Sequence, residues 1–139
     1  MKTEKVSINL TSTELGQIDY LVERGLYDNR SDLIRSSLRK TFDANKQYLQ
    51  EFLQPDDVEI STSYKTHFTM GIATFNLESL QYNLNKGQRL HIRIFGILSI
   101  GKNVPAELIR QTVATCKVHG KIIAEPEVLK ALNEIQERS

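Results

Sequence analysis

The sequence predicts an α+β chain, in which a short strand and two helices precede a small α/β domain of strand-plus-helix units. Residues 5–10 alternate polar and apolar side chains, which is typical of a half-buried strand. Apolar residues at helical spacing then follow as far as residue 53. Beyond residue 66, strand-like and helix-like runs alternate three times, which favours an α/β layer.

The composition is that of a globular protein. Of the 139 residues, 40% are hydrophobic and 25% are charged, so a wholly disordered chain is excluded. No apolar run approaches the ~20 residues of a membrane helix, and we recognise no secretory signal. The single cysteine, Cys116, cannot form an intrachain disulfide and fits a reducing cytoplasm, which is the expected location. We expect no membrane partner.

The first strand has one apolar and one polar face. Its apolar side chains are Val6, Ile8 and Leu10, and its polar side chains are Lys5, Ser7 and Asn9. Three hydroxyl residues at 11–13 follow, each able to cap a helix. Apolar residues at helical spacing then predict a first helix to about Arg24, and Gly25 fits its C-terminal stop.

A second helix begins after Asn29. Asn29 and Asp32 have the spacing of a variant capping box, with Asp in place of the usual Glu or Gln. Because no Gly or Pro occurs from Arg30 to Gln54, the pattern predicts one long helix that Pro55 ends. Residues 54–66 are polar, and we predict a linker there, with or without a weak edge strand at 58–60.

The C-terminal part predicts three strands, each followed by a helix. The predicted strands are His67–Phe75, Leu90–Ile100 and Lys117–Ala124, and the predicted helices are Leu77–Asn85, Ala106–Thr115 and Glu127–Glu137. Gly71, Gly96 and Gly120 recur at intervals of 25 and 24 residues (96 − 71 and 120 − 96). This faint repeat leaves open a stacked, solenoid-like arrangement, and the alternation itself favours parallel strands.

The N-terminal strand has no neighbour close by in the sequence. A strand needs partners for its backbone N–H and C=O groups, yet a helix and not a hairpin follows. The simplest partner is the same strand of a second copy, paired antiparallel across a two-fold axis. The apolar face would then pack onto the helices, and the polar face would lie on a two-stranded ribbon that fits the DNA major groove.

The order strand, helix, Gly turn and second helix is similar to that of a known family. Together with the run from Asn29 to Arg35 (Asn-Arg-Ser-Asp-Leu-Ile-Arg), it resembles the ribbon-helix-helix DNA-binding proteins, such as the CopG-type, MetJ and Arc repressors. The resemblance covers roughly residues 5–42. It implies an intertwined homodimer that binds double-stranded DNA.

The resemblance also implies a role for individual residues. Lys5, Ser7 and Asn9 match the outward strand positions that contact base edges. The start of the second helix matches the part that contacts phosphates, at Asn29, Arg30 and Ser31, and Lys2 is an additional phosphate candidate. Independently of the family, a helix N-terminus offers free N–H groups and a partial positive charge to an anion.

No other pattern predicts a site. Residues 1–50 contain 8 Lys and Arg against 7 Asp and Glu, so attraction to DNA must be local. Arg35, Arg39 and Lys40 form either a basic stripe or an ordinary solvated helix face. The remaining metal-ligand candidates are His67, His91, His119 and Cys116. The histidines are widely spaced in the sequence, and the Cys116-x-x-His119 pair could bind a metal but supplies only two ligands, so we predict no metal site. We predict no catalytic residues, no cofactor and no enzyme activity.

The favoured function is therefore a homodimeric transcriptional regulator, and the family implies a repressor. We divide the chain into a DNA-binding and dimerisation domain (1–53), a linker (54–66) and a β-α domain (67–139) for oligomerisation, partner binding or effector binding. One alternative is an antitoxin-like protein whose C-terminal region binds a partner protein while its N-terminus regulates its own gene. Another is an assembly protein that multimerises through the β-α domain.

Overall fold

The computed structural model describes residues 3–53 and 64–139, which contain six helices and three strands and confirm the α+β class. The elements in chain order are α1 (Ser12–Glu23), α2 (Arg30–Ala44), α3 (Lys46–Leu53), β1 (Tyr64–Phe75), α4 (Leu77–Asn85), β2 (Arg89–Ile100), α5 (Ala106–Thr112), β3 (Val113–Ile123) and α6 (Pro126–Arg138). The chain divides into two compact units, Met1–Glu51 and Phe52–Ser139. No helix in the described ranges is long and apolar enough to cross a membrane.

Helix α1 has well-defined caps at both ends. The Thr11 hydroxyl accepts a hydrogen bond from the Glu14 amide (3.2 Å), and the Glu14 carboxylate accepts one from the Thr11 amide (2.8 Å). This reciprocal pair is a capping box. At the other end Gly25 adopts φ +78°, and the Leu26 amide donates to the Leu21 carbonyl. This is a Schellman ending, in which Gly tolerates the left-handed backbone. It confirms the stop predicted at Gly25.

The long second helix predicted to Gln54 is interrupted at Asn45. Asn45 leaves helical geometry (φ −110°, ψ 19°), and its side-chain Nδ2 donates to the Thr41 carbonyl at 2.8 Å. Its own carbonyl accepts from the amides of Tyr48 and Leu49 in α3. A single Asn therefore ends α2 and begins α3, because its short amide side chain competes for backbone partners. The prediction of one continuous helix was wrong at this residue.

The second unit is a parallel three-stranded sheet in the order β1-β2-β3, as the alternation of strands and helices predicted. Helices α4, α5 and α6 cover one face of the sheet. The core contains alternate residues of the central strand, namely Leu90, Ile92, Ile94, Leu98 and Ile100, together with Leu80 of α4, Ile109 of α5 and Leu132 of α6. The side chains that alternate along the strand and those at helical spacing on the helices therefore pack together in a single core.

The bounds of several elements differ from those predicted. Helix α5 ends at Thr112 and not at 115, because Val113–Thr115 are extended and pair with the start of β2. Strand β1 begins at Tyr64, so residues 64–66, predicted as the end of the linker, are part of the sheet. The rest of the predicted linker and the weak strand at 58–60 lie outside the described residues.

The three repeat glycines stand side by side across the sheet. Gly71 pairs with Gly96, which pairs with Gly120, and their φ angles are +121°, +136° and +139°. A Cβ on Gly96 would lie 2.0 Å from the Gly71 carbonyl oxygen, and one on Gly120 would lie 2.0 Å from that of Gly96. We call Gly71, Gly96 and Gly120 the glycine row. At Gly96 and Gly120 the added carbon would collide with the backbone of the neighbouring strand, so only glycine fits there.

The β1 strand bends sharply at the glycine row. His67 and Phe75 are separated by eight residues, which in a straight strand would span about 26 Å. Their rings nevertheless lie 5.1 Å apart between centroids. Gly71 is midway between them, so the strand folds there and brings its two arms together on the helix side.

We predict that Gly96→Ala destabilises the second unit more than Gly71→Ala does. Both substitutions place a Cβ on a positive-φ backbone, which costs about 1–3 kcal/mol. At Gly96 the Cβ also meets the Gly71 carbonyl, whereas at Gly71 it meets nothing within 4 Å. Urea unfolding followed by circular dichroism measures the difference, and equal midpoints for the two variants would contradict a steric role for the row.

Candidate nucleic-acid interface

The N-terminal arm, residues 3–10, has no regular secondary structure, and all of its residues are exposed. The apolar side chains of this arm are largely exposed, with Val6 at 80%, Ile8 at 62% and Leu10 at 41%. The predicted strand at 5–10 is not formed in the single chain, since no strand of the described residues lies alongside it. An alternating apolar segment left in water in this way lacks a covering surface.

The predicted base-contacting residues lie on the same arm. Lys5, Ser7 and Asn9 are exposed and alternate with the apolar residues, so in an extended backbone they project to the opposite side. Their side chains offer an ammonium, a hydroxyl and an amide, which are groups that can bond to base edges in the major groove. Lys2, the additional phosphate candidate, lies outside the described residues.

The predicted phosphate site is the N-terminus of α2. The Asn29 side-chain oxygen accepts from the Asp32 amide at 2.8 Å, which confirms Asn29 as the N-cap. In a full capping box the Asp32 carboxylate would accept a hydrogen bond from the Asn29 backbone amide. It accepts one from the Asp28 amide instead (3.1 Å), so only half of the capping box is formed. Helical geometry leaves the amides of Arg30 and Ser31 without carbonyl partners inside α2, and they are available to an anion.

Arg30 is held by an acidic residue of α1. Its Nε and Nη2 donate to the two carboxylate oxygens of Asp19 at 2.7 and 2.8 Å, and both side chains are exposed. These hydrogen bonds lower the pKa of Asp19 and raise that of Arg30. The bidentate pair fixes the guanidinium beside the α2 N-terminus, yet it remains at the surface, where a phosphate could compete for it.

Helices α1 and α2 have almost no core of their own. Of residues 3–52, only Leu33 is buried, and Leu38 and Phe42 on the same helix are exposed. Arg35, Arg39 and Lys40 are also exposed along α2. A helix pair needs tertiary packing to be stable, so this surface is suited to a partner that covers its apolar side chains.

The histidines and the cysteine do not come together. Among the described residues, no group of three or more His, Cys, Asp or Glu is placed to hold a metal ion. Cys116 lies in the core beside Ile92, whereas His119, three residues later in the strand, packs on the opposite face against Phe52 and Phe95. Strand geometry therefore separates the one pair that had metal-ligand spacing.

The other two histidines make structural contacts. His91 Nδ1 lies 2.8 Å from the Thr115 hydroxyl, and its ring stacks on Tyr64. Burial, with Arg93 and Arg89 nearby, lowers the pKa of His91. His67 lies on the opposite side of the sheet, where its ring contacts Phe75.

The first unit combines three features: an arm of alternating polar and apolar residues that is exposed, two capped helices, and an Asn-capped start of the second helix. A scan against protein families matches residues 1–129 to the Ribbon-Helix-Helix transcriptional regulator family. The chain belongs to this family, and the resemblance inferred from the sequence is confirmed. The family identifies it as a DNA-binding transcriptional regulator. Searches of curated proteins and of solved structures found no match.

Two features of the structure were missed by sequence reasoning. Asp19, the partner of Arg30, is eleven residues away on another helix, and no local pattern links the two. A cavity beside His67 and Asn83 depends on the bend of β1, which places His67 next to Phe75. The recurrence of the glycines was the available signal for that bend, but it does not by itself indicate a cavity.

We predict that Cys116 is unreactive in the folded protein. Burial raises the pKa of its thiol from 9.0 to about 12, so the folded protein keeps it protonated while the unfolded chain ionises above pH 9. The free energy of unfolding is therefore insensitive to this thiol below pH 9. It falls as the pH rises from 9 to about 12, because the unfolded chain can then lose the proton that the folded protein keeps. Iodoacetamide should alkylate the protein only in denaturant.

The control for this prediction is Cys116→Ala, which removes the thiol without adding a polar group. The stability difference between wild type and this variant should be constant below pH 9 and should change above it. Rapid alkylation of the native protein at neutral pH would contradict the burial of Cys116.

Proposed function

We propose that the protein is a homodimeric repressor whose two N-terminal arms pair into an antiparallel β-ribbon that contacts bases in the DNA major groove. The observation on which this rests is the exposed alternating arm, with Val6, Ile8 and Leu10 uncovered in the single chain. Pairing with a second arm would satisfy the backbone and place these side chains over the helices of both copies. The family assignment supports the same arrangement.

In this proposal, residues 1–53 form the DNA-binding and dimerisation domain. Lys5, Ser7 and Asn9 of each arm contact base edges, so a dimer presents six polar side chains to the groove. Asn29, Arg30 and Ser31, and additionally Lys2, contact the phosphates on either side. The pair of Arg30 with Asp19 is exposed, which supports this role, because a phosphate can replace the Asp19 carboxylate at the guanidinium.

Residues 67–139 are proposed as the domain for oligomerisation, partner binding or effector binding. They have a hydrophobic core built from β2 and three helices. An antitoxin segment that folds only on its partner protein needs no such core. The folded second unit therefore favours the regulator over the antitoxin-like alternative.

We expect that replacing Lys5, Ser7 and Asn9 together with Ala abolishes the preference for operator DNA. Removing each base contact costs about 1–3 kcal/mol, whereas the attraction of phosphates for the helix ends remains. Binding to DNA that spans the protein's own promoter is compared with binding to an unrelated fragment by fluorescence anisotropy. Retention of the full preference would contradict the role of the arm.

A matched variant on the opposite face of the arm tests dimerisation. Ile8→Asp should dissociate the dimer, because it would place a charge in the apolar surface between the two copies. The triple Ala variant should remain dimeric, since its side chains project outward. Sedimentation equilibrium distinguishes these outcomes, and a wild-type protein that is monomeric at all concentrations would refute the ribbon.

The salt dependence of DNA binding tests the role of Arg30 at the phosphates. Arg30→Ala should weaken binding to all DNA sequences alike. The negative slope of log K against log salt concentration should become shallower by about 1 for each phosphate that Arg30 neutralises in the wild type. Asp19→Asn should strengthen binding at low salt, because it removes the carboxylate that competes with phosphate for Arg30. Lys46→Ala, which changes charge without touching the α2 N-terminus, is the control.

A further inference from the structure

Strand β1 forms one edge of the sheet, with β2 on its inner side. In the described part of the chain, no group outside the sheet is hydrogen-bonded to residues 64–74 on the outer side of this strand. An open strand edge presents a row of backbone N–H and C=O groups that can pair with another strand. The outer edge of β1 is therefore a surface to which a further strand can add.

The opposite edge of the sheet, on β3, is covered by side chains of α6. The Cys116 amide donates to Ser139 Oγ at 3.2 Å. The Val118 amide donates to Gln136 Oε1 at 3.0 Å. A strand that added to β3 would have to displace both hydrogen bonds, and covering an edge in this way is how natural sheets avoid unwanted pairing. The protection of β3 therefore leaves β1 as the edge of this sheet at which a strand can pair.

The exposed side chains along β1 are mostly apolar. Phe68, Met70 and Ile72 are 42%, 70% and 52% exposed, and they alternate with residues that face the core, so they share the sheet face opposite the helices. Edge strands that stay single in water commonly carry a charged residue or a proline, which prevents association. Residues 66–75 contain no Asp, Glu, Lys, Arg or Pro. The composition of β1 therefore favours pairing with another strand.

Gly71 keeps this edge free of a side chain. A Cβ on Gly96 would point at the Gly71 carbonyl oxygen in β1, and one on Gly120 would point at that of Gly96 in β2, so each points toward the preceding strand. Gly71 has a similar positive φ, and a Cβ there would point to the outer side of β1, where no neighbouring atom of the described chain lies within 4 Å. A side chain at this position would therefore lie in the path of an added strand.

The bend of β1 restricts which strand can pair along its whole edge. The bend at Gly71 brings the His67 and Phe75 rings to 5.1 Å, so a straight strand can follow only one arm of β1. A second copy of β1 bends at the same residue. If the two strands are antiparallel and related by a two-fold axis perpendicular to the sheet, both bend toward the helix side at the same level. The shape of the edge therefore favours a second copy of this chain over an unrelated extended peptide.

We propose that β1 pairs antiparallel with β1 of a second copy, with Gly71 opposite the partner's Gly71, so that two three-stranded sheets become one sheet of six strands. On the face away from the helices, Met70 then lies opposite the partner's Ile72, and the exposed apolar side chains of the two strands contact each other. Because the two edges are identical, the pair is closed and no third copy adds to it. This inference rests on the oligomerisation role proposed for residues 67–139, and it is independent of the N-terminal ribbon.

Sedimentation equilibrium of the full-length, DNA-free protein tests this interface. Each chain would have two self-pairing surfaces, the arm and β1, so the wild type should reach the mass of at least four chains of 15.9 kDa. Replacing Met70 and Ile72 together with Lys puts like charges directly opposite each other, which should weaken the β1 pairing at least about tenfold and leave two chains. Both residues are exposed, so the fold should persist. The matched control, Met70→Glu with Ile72→Lys, puts opposite charges face to face and should keep at least four chains.

Ile8→Asp separates this interface from the ribbon. It opens the ribbon only, so it should leave dimers that are joined through β1, and adding the two Lys substitutions should give single chains. A wild type of two chains that Ile8→Asp alone converts to single chains would overturn the β1 pairing and leave the ribbon standing. If the two Lys substitutions leave the mass of the wild type unchanged, the β1 pairing is likewise wrong.

Engineered disulfides test the register at Gly71. Opposite residues of an antiparallel pair have Cα atoms ~4.5–5.5 Å apart, a distance that a disulfide can span. Met70→Cys and Ile72→Cys chains, refolded together from urea and then oxidised, should form cross-linked heterodimers. Neither variant should cross-link to itself, because identical positions lie diagonally across the pair, and the native Cys116 is buried. Equal cross-linking of each variant with itself, or none in the mixture, would overturn the pairing at Gly71.

Discussion

The second unit depends on three glycines that stand side by side across its sheet. At Gly96 and Gly120 a single added carbon would collide with the carbonyl oxygen of the neighbouring strand. Because the three glycines pair with one another, the register of the sheet and the position of the bend in β1 are set together. Leu98 and Ile100 beyond the row then reach the same core as Leu90 and Ile92 before it.

Local patterns predicted the elements well where one short-range effect dominates. The cap at Asn29, the stop at Gly25 and the whole of α4 lie where the sequence places them, because each depends on neighbouring residues. Predictions failed where two local effects compete. Asn45 has helical neighbours on both sides, yet its side-chain amide ends α2. Val113 to Thr115 directly follow a helix, yet they adopt the extended backbone that β-branched residues prefer.

The site was less predictable than the fold. The alternation at 5–10 predicts a polar face on the arm, and this stays a prediction, whereas the helix start at Asn29 is confirmed and follows from its cap. The ion pair of Asp19 with Arg30 and the meeting of His67 with Phe75 are tertiary contacts between distant residues. Periodicity describes one element at a time, so it contains no information about which faces of different elements meet.

The sparse core of the first unit makes its folding depend on concentration. A helix pair in which Leu33 alone is buried, among residues 3–52, gains little by folding in isolation. If a second copy supplies the missing surface, folding of this unit becomes a bimolecular reaction, and the amount of competent protein rises with the square of the chain concentration when dimers are scarce. A modest change in the rate of synthesis would then alter promoter occupancy more steeply than it alters abundance.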